Sequence, residues 1–145
     1  MTAETVYVLN GPNLNLLGTR EPEIYGTDTL DDIAARLTAR GLELGLTLDI
    51  RQSNHEGHLI DWLHEAGRTG AKAVLLNAGG YTHTSIAIHD AIKSIGVPVI
   101  EVHLSDPHKR EDFRHISDVG MAAVACFAGH RSESYMLALD AAAQL

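Results

Sequence analysis

Tyrosine, histidine and arginine can between them take a proton, return one and hold an anion. In this chain they gather in three polar stretches. The first runs Asn10-Gly11-Pro12-Asn13-Leu14-Asn15 and continues through Gly18-Thr19-Arg20-Glu21-Pro22-Glu23-Ile24-Tyr25-Gly26, a connection too long for a simple turn. It has neither the spacing of a phosphate loop nor that of a dinucleotide fingerprint. Loops of this length in a compact domain serve as functional lids or are locally irregular, so Arg20 and Tyr25 read either as site groups or as a solvated charge and a packed ring. The second stretch, Asn77-Ala78-Gly79-Gly80-Tyr81-Thr82-His83-Thr84-Ser85, leads into a helical segment carrying His89 and Asp90. Small residues before a helix start expose backbone N–H groups suited to an anion. They also make an ordinary turn with Thr84 or Ser85 as the N-cap. The third, Glu101-Val102-His103-Leu104-Ser105-Asp106-Pro107 with Arg114 beyond, ends an apolar run on a histidine, a natural acid or base near neutral pH. A histidine at such a place can equally be structural.

Other reactive side chains point less clearly to chemistry. The nine histidines form no HExxH, and the lone Cys126 leaves no cysteine pair to complete a zinc site. Cys126 lies in an apolar run and is expected to be a small buried hydrophobe. Trp62 reads as helix packing, and Asn54-His55-Glu56-Gly57 as a site edge or a helix start.

Strands and helices must alternate to position these stretches. Thr5–Leu9, Leu46–Arg51, Ala73–Asn77, Pro98–His103 and Ala122–Phe127 are short apolar or β-branched runs, as for strands covered on both faces. Between them, Leu30/Ile33/Ala34/Leu37, Leu59/Leu63/Ala66 and Ile88/Ala91/Ile92/Ile95 recur with helical period, and Ser132 to Leu145 reads as a final helix. This alternation predicts a single-domain α/β fold, a flavodoxin-like doubly wound five-stranded parallel sheet over 1–145. Ligands bind such sheets beyond the carboxyl ends of the strands, where all three stretches fall.

The composition agrees with that reading. With 145 residues, 45% of them hydrophobic, the chain suits one domain with a sizeable core. A net charge of −8 argues against a general nucleic-acid or membrane-surface binder and leaves room for a local basic pocket. The single cysteine suits a reducing compartment. The start of the chain has no signal-peptide pattern and no stretch is long enough to span a bilayer, so a soluble, cytoplasmic protein is expected.

Taken together, Asn10-Gly-Pro-Asn-Leu-Asn-Leu-Leu-Gly-x-Arg-Glu-Pro-x-x-Tyr-Gly26, Gln52-Ser-Asn-His-Glu-Gly57, Asn77-Ala-Gly-x-Tyr-Thr-His-Thr-Ser85, Glu101-Val-His-Leu-Ser105 and Arg114-His-x-Ser117 closely resemble the type II 3-dehydroquinate dehydratases of the shikimate and quinate pathways, over roughly residues 5 to 117. The resemblance implies dehydration of 3-dehydroquinate to 3-dehydroshikimate through an enolate, with no metal and no cofactor. It implies Tyr25 as base, Arg20 as the cation beside it on a lid at about 18–27, and His103 as general acid. Asn13 would position a water on the enolate oxygen, while Asn77, His83, Asp90, Leu104, Ser105 and Arg114 would bind substrate. It further implies a homo-oligomer, a dodecamer of four trimers, in which Asp90 reaches a neighbour's site. The physical chemistry fits: a tyrosine base needs its usual pKa of ~10 brought down by roughly 2–3, which a nearby guanidinium in a dry site favours. Lys72, Lys93 and Lys109 offer no obvious Schiff-base lysine.

Gly80 stands where the family usually has alanine, and Asp106 where asparagine is usual, adding a negative charge near an anionic substrate. Gly129-His130-Arg131-Ser132-Glu133-Ser134-Tyr135 lacks the usual glycine pattern before the last helix. The readings from other classes are a flavodoxin-like module that holds a nucleotide or flavin without catalysis, which fold analogy alone permits, and a family member that has lost activity.

Overall fold

Alternation along the first strand sets the architecture. In β1 (Glu4–Asn10), Val6 and Val8 turn to one face and Tyr7 and Leu9 to the other, and all four are buried. A strand covered on both sides requires this pattern. The computed structural model, which describes residues 3–145, continues from β1 through α1 (Pro22–Tyr25), α2 (Leu30–Glu43), β2 (Leu46–Gln52), α3 (Glu56–Thr69), β3 (Ala73–Asn77), α4 (Ile86–Ser94), β4 (Val99–Val102), β5 (Ala125–Phe127) and α5 (Glu133–Ala143). The strands are all parallel in the order β2-β1-β3-β4-β5. This is the flavodoxin-like α/β sheet that the sequence predicts.

Helices α2 and α5 cover one face, with Ile33, Leu37, Tyr135, Ala138 and Leu139 packed on Val6, Val8, Leu75 and Ile100. Helices α3 and α4 cover the other, with Leu59, Leu63, Ile88 and Ile92 on Tyr7, Leu9, Val74 and Leu76. Local chemistry fixes the helix starts. Thr29 Oγ1 accepts the Asp32 N–H at 3.0 Å and Asp32 Oδ2 accepts the Thr29 N–H at 2.9 Å, a capping box that ends the long first connection. Ser85 caps α4 by accepting the Ile88 N–H at 2.9 Å.

Three expectations need correction. Strand β4 stops at Val102, leaving His103 at the mouth of the sheet. Strand β5 begins at Ala125 rather than Ala122, because residues 121–123 turn back on Ser117 and Val119 and Val119 is buried among α3 and α4 side chains. Cys126 is exposed, since β5 is an edge strand with one open side.

Strand order reverses between β1 and β3, and there the two chains approach closely. Asn10 and Asn77 are register partners at the strand ends. The next residue, Gly11, donates its N–H to the Asn77 carbonyl at 2.8 Å, and a Cβ on it would lie 2.6 Å from the Ala78 carbonyl oxygen. No other residue type fits there without prising the strands apart.

Candidate active site

The two asparagines at the reversal point are tied together by a side chain from the last helix. Tyr135, fully buried, donates its hydroxyl to Asn10 Oδ1 at 2.6 Å and accepts from Asn77 Nδ2 at 2.9 Å. Asn10 in turn donates to the Arg51 carbonyl, and Asn77 Oδ1 accepts the Gly79 N–H. Every group in this dry network has a partner, as burial requires. Burial of its hydroxyl pushes Tyr135 well above the ordinary tyrosine range, outweighing the bond from Asn77, so it stays a neutral phenol. Asn77, so fixed, is also part of the wall of the neighbouring cleft.

Beyond these strand ends opens a narrow cleft with about 40 Å³ of solvent-accessible space. Tyr25, Arg20, Asn77, His83, His103, Leu104, Ser105 and Arg114 line it together, with Arg110 added. Short helix α1 brings in Tyr25, which is buried with only 8% exposed. The Arg20 guanidinium stacks on its ring, 4.3 Å from the centroid. The direct bond to the phenol oxygen comes from Arg110 Nη1, at 2.7 Å. Sequence reasoning missed Arg110: it lies in the charged run Pro107–Arg114, where nothing in the residue types says which cation turns inward.

Glu101 was missed as well, although the signal was present. Residues i and i+2 of a strand share a face, so Glu101 must meet whatever His103 meets. Glu101 Oε1 stands 3.4 Å from His103 Nε2, and Ser117 donates to Oε2. Burial pushes the Glu101 carboxyl up, but the close approach and charge of His103, with help from the Cys126 thiol and Ser117, bring it down to about 2. Nε2 is buried without a hydrogen bond of normal geometry, so the carboxylate meets the ring as a close ionic contact rather than a formed bond. The His83 ring lies nearly parallel to that of His103, with centroids 6.3 Å apart. Its own pKa is lowered, chiefly by burial, which outweighs its bond to Ile116; the charges of His103 and Arg114 lower it further. His83 Nδ1 donates to the Ile116 carbonyl at 2.8 Å, so its Nε2 is a hydrogen-bond acceptor.

Two of the expected residues lie outside the cleft of a single chain. Asn13, in a left-handed conformation at φ 71°, is exposed and its N–H donates to Asn54 Oδ1. Asp90 is exposed on α4. Asp106 is occupied elsewhere: its Oδ1 accepts the His108 N–H at 3.0 Å and caps the Pro107–Lys109 turn. Among the described residues no group of three or more His, Cys, Asp or Glu side chains could hold a metal ion. Chemically, the cleft sets a phenol between two guanidiniums opposite a carboxylate-backed histidine. That constellation can take a proton and return one within a single cleft, and its arginines suit an anionic ligand.

Comparison with known proteins places these residues in context. The family model described as Dehydroquinase class II matches residues 4–143. A 3-dehydroquinate dehydratase of Caulobacter sp. (strain K31) is 59% identical over 140 residues, covering 97% of this chain and 95% of that one. The type II dehydroquinase of Propionibacterium acnes superposes with a TM-score of 0.95 at 43% identity, covering 99% of both chains. That of Butyrivibrio crossotus DSM 2876 superposes equally well, with a TM-score of 0.95 at 36% identity, and covers 98% of this chain and 99% of its own.

Proposed function

Because the chain belongs to the class II dehydroquinase family, we propose how its cleft carries out that family's reaction. The activity is the dehydration of 3-dehydroquinate to 3-dehydroshikimate, a step of the shikimate pathway. In our reading the loop at 18–27 is a lid on a single catalytic domain, and Tyr25 on it removes the proton alpha to the ketone. The C–H electrons become the enolate double bond. Negative charge at the phenol oxygen before this transfer is stabilised by the Arg110 hydrogen bond and by Arg20. Collapse of the enolate expels the hydroxyl, which takes a proton from His103 and leaves as water. Glu101 holds the imidazole for that transfer. Asn77 and the acceptor nitrogen of His83 meet substrate hydroxyls, while Arg114 and the Leu104–Ser105 backbone hold its carboxylate. Asn13, exposed at the foot of the lid and outside the cleft as the chain stands, would position the water on the enolate oxygen once the lid closes. Lid closure excludes bulk water from the enolate.

The observation that carries this reading is the 2.7 Å bond from Arg110 to Tyr25 in the same cleft as the Glu101–His103 pair. A module that merely held a nucleotide would need a phosphate cradle after β1, where this chain has Pro12 and Asn13. The free thiol of Cys126 supports a reducing, cytoplasmic setting, and no described helix is long and apolar enough to cross a membrane. We further propose a dodecamer of four trimers in which Asp90 completes a neighbour's site. Ile86, Phe113, Ile116, Met121 and Val124, all more than 60% exposed, give it an apolar surface to bury.

The test separates the two proton transfers. Tyr25→Phe keeps the ring and removes the base, so both dehydration and exchange of the alpha proton with D₂O should vanish. His103→Ala keeps the base, so dehydration should collapse while some exchange persists. NMR of recovered substrate reads both; exchange retained in Tyr25→Phe and lost in His103→Ala would reverse the assignment.

A further inference from the structure

Between β5 and α5 the chain takes an unfavourable path. Arg131 sits at φ 53°, in the left-handed region that favours glycine. Its side chain is exposed, so core packing does not hold it there. What holds it is a set of contacts that reach the exit of the lid. Arg131 Nη2 donates to the Glu23 carbonyl at 3.3 Å. Its aliphatic stem lies over Gly26, where a Cβ would come 3.2 Å from Arg131 Cδ. Its backbone N–H donates to the Leu104 carbonyl at 2.9 Å, one residue from His103. The next residue continues the pattern: Ser132 Oγ donates to Asp28 Oδ2 at 2.6 Å and accepts from Arg36 Nη1 at 2.9 Å. Arg36 in turn pairs with Glu133 at 2.8 Å. One residue is thus anchored at both ends, by its backbone beside the acid and by its side chain two residues before the base.

We propose that Arg131 and Ser132 form a clasp that pins the exit of the lid to the turn before α5 and so positions Tyr25 relative to His103. Both are positioning residues and neither lines the cleft described above. The proposal rests on the reading of residues 18–27 as a lid and of Tyr25 as the base. It explains why an exposed arginine occupies a backbone conformation that glycine would adopt freely. Without a side chain at 131, nothing would reach the Glu23 carbonyl or cover Gly26.

Arg131→Gly is the informative variant, because it relieves the backbone while removing the clasp. The melting temperature should stay unchanged or rise. Hydrogen exchange of the Ile24, Tyr25 and Gly26 amides, which close the turns of α1, should quicken by about three- to tenfold, the worth of one exposed hydrogen bond of ordinary strength. The value of kcat/KM should fall by a similar factor. Ser132→Ala should act in the same direction, and Arg131→Lys, which keeps the stem and a donor, should restore part of the loss. The clasp is overturned if Arg131→Gly and Ser132→Ala both leave exchange at 24–26 and kcat/KM at wild-type values. It is equally overturned if faster exchange spreads over the whole chain with a lower melting temperature, the mark of a purely structural role. Exchange is read without substrate, so it judges the clasp independently of chemistry. Turnover retained in Tyr25→Phe would overturn the base assignment and leave the exchange result standing.

Discussion

Arg110 and Arg20 address Tyr25 in different ways, and their variants should differ accordingly. Arg110 bonds the phenol oxygen, where negative charge must sit, whereas Arg20 lies over the ring. Arg110→Ala should therefore lower kcat at least as far as Arg20→Ala, each by about 10² or more, the scale of losing one preorganised electrostatic contact. Steady-state kinetics of the two variants decides this; a wild-type kcat for Arg110→Ala would remove it from the mechanism. Glu101 makes a prediction about acid. Its carboxyl titrates at about 2 in the folded chain against an ordinary 4.5. A depressed folded pKa contributes stability that is present above the unfolded value and is lost as pH falls toward the folded one. Between about pH 5 and 2 the wild type should thus lose on the order of 2–3 kcal/mol that Glu101→Gln does not lose. Urea unfolding along that pH range compares the two slopes, and parallel curves would contradict the pairing with His103. At this scale legibility was uneven. Tyr25, Arg20 and His103 stand out by type and by their place after strands. Arg110 does not, because the inward turn of one arginine among Lys109, Arg110 and Arg114 depends on a loop fold that no periodicity encodes.

Elements were easier to read than their ends. Strands β1, β2 and β3 are β-branched or apolar runs bounded by polar residues, and each lies within a residue of its expected limits. The apolar run Ala122-Ala123-Val124 suggests a longer β5, but the Ala122 and Ala123 N–H groups turn back on the Val119 carbonyl and only Val124 reaches β4, at Val99. Helix α5 was expected from its alanines and leucines, yet its part in the site stayed hidden. A tyrosine on an apolar helix face reads as packing, and only the tertiary fold shows its hydroxyl between Asn10 and Asn77. Tyr135→Phe should leave the Asn10 acceptor unpaired and the Asn77 amide free to turn. A loss of about 1–3 kcal/mol in urea unfolding is expected, with a higher KM. An unchanged KM would confine Tyr135 to a structural role.

The whole molecule is acidic, at −8, but its cleft gathers Arg20, Arg110 and Arg114. The overall field therefore opposes an anionic ligand and only the local cluster attracts it, so raising ionic strength acts on two opposing contributions. The apolar side chains left exposed on the 86–124 segment carry the assembly prediction. Phe113→Asp with Ile116→Asp should lower the sedimentation coefficient toward that of a monomer or small oligomer, and activity should fall with it if Asp90 serves a neighbour. An unaltered coefficient would place the contact elsewhere. The last helix carries a temporal consequence. Synthesis delivers β1 through β4 first, and with them Tyr25, His103 and most of the cleft. Arg131, Ser132 and Tyr135 follow every cleft-lining residue in the chain, so the reactive groups are made before the parts that align them. A chain that has reached β4 but not α5 lacks Tyr135, Ala138 and Leu139 on one face of its sheet, so its cleft stays unaligned until that helix docks.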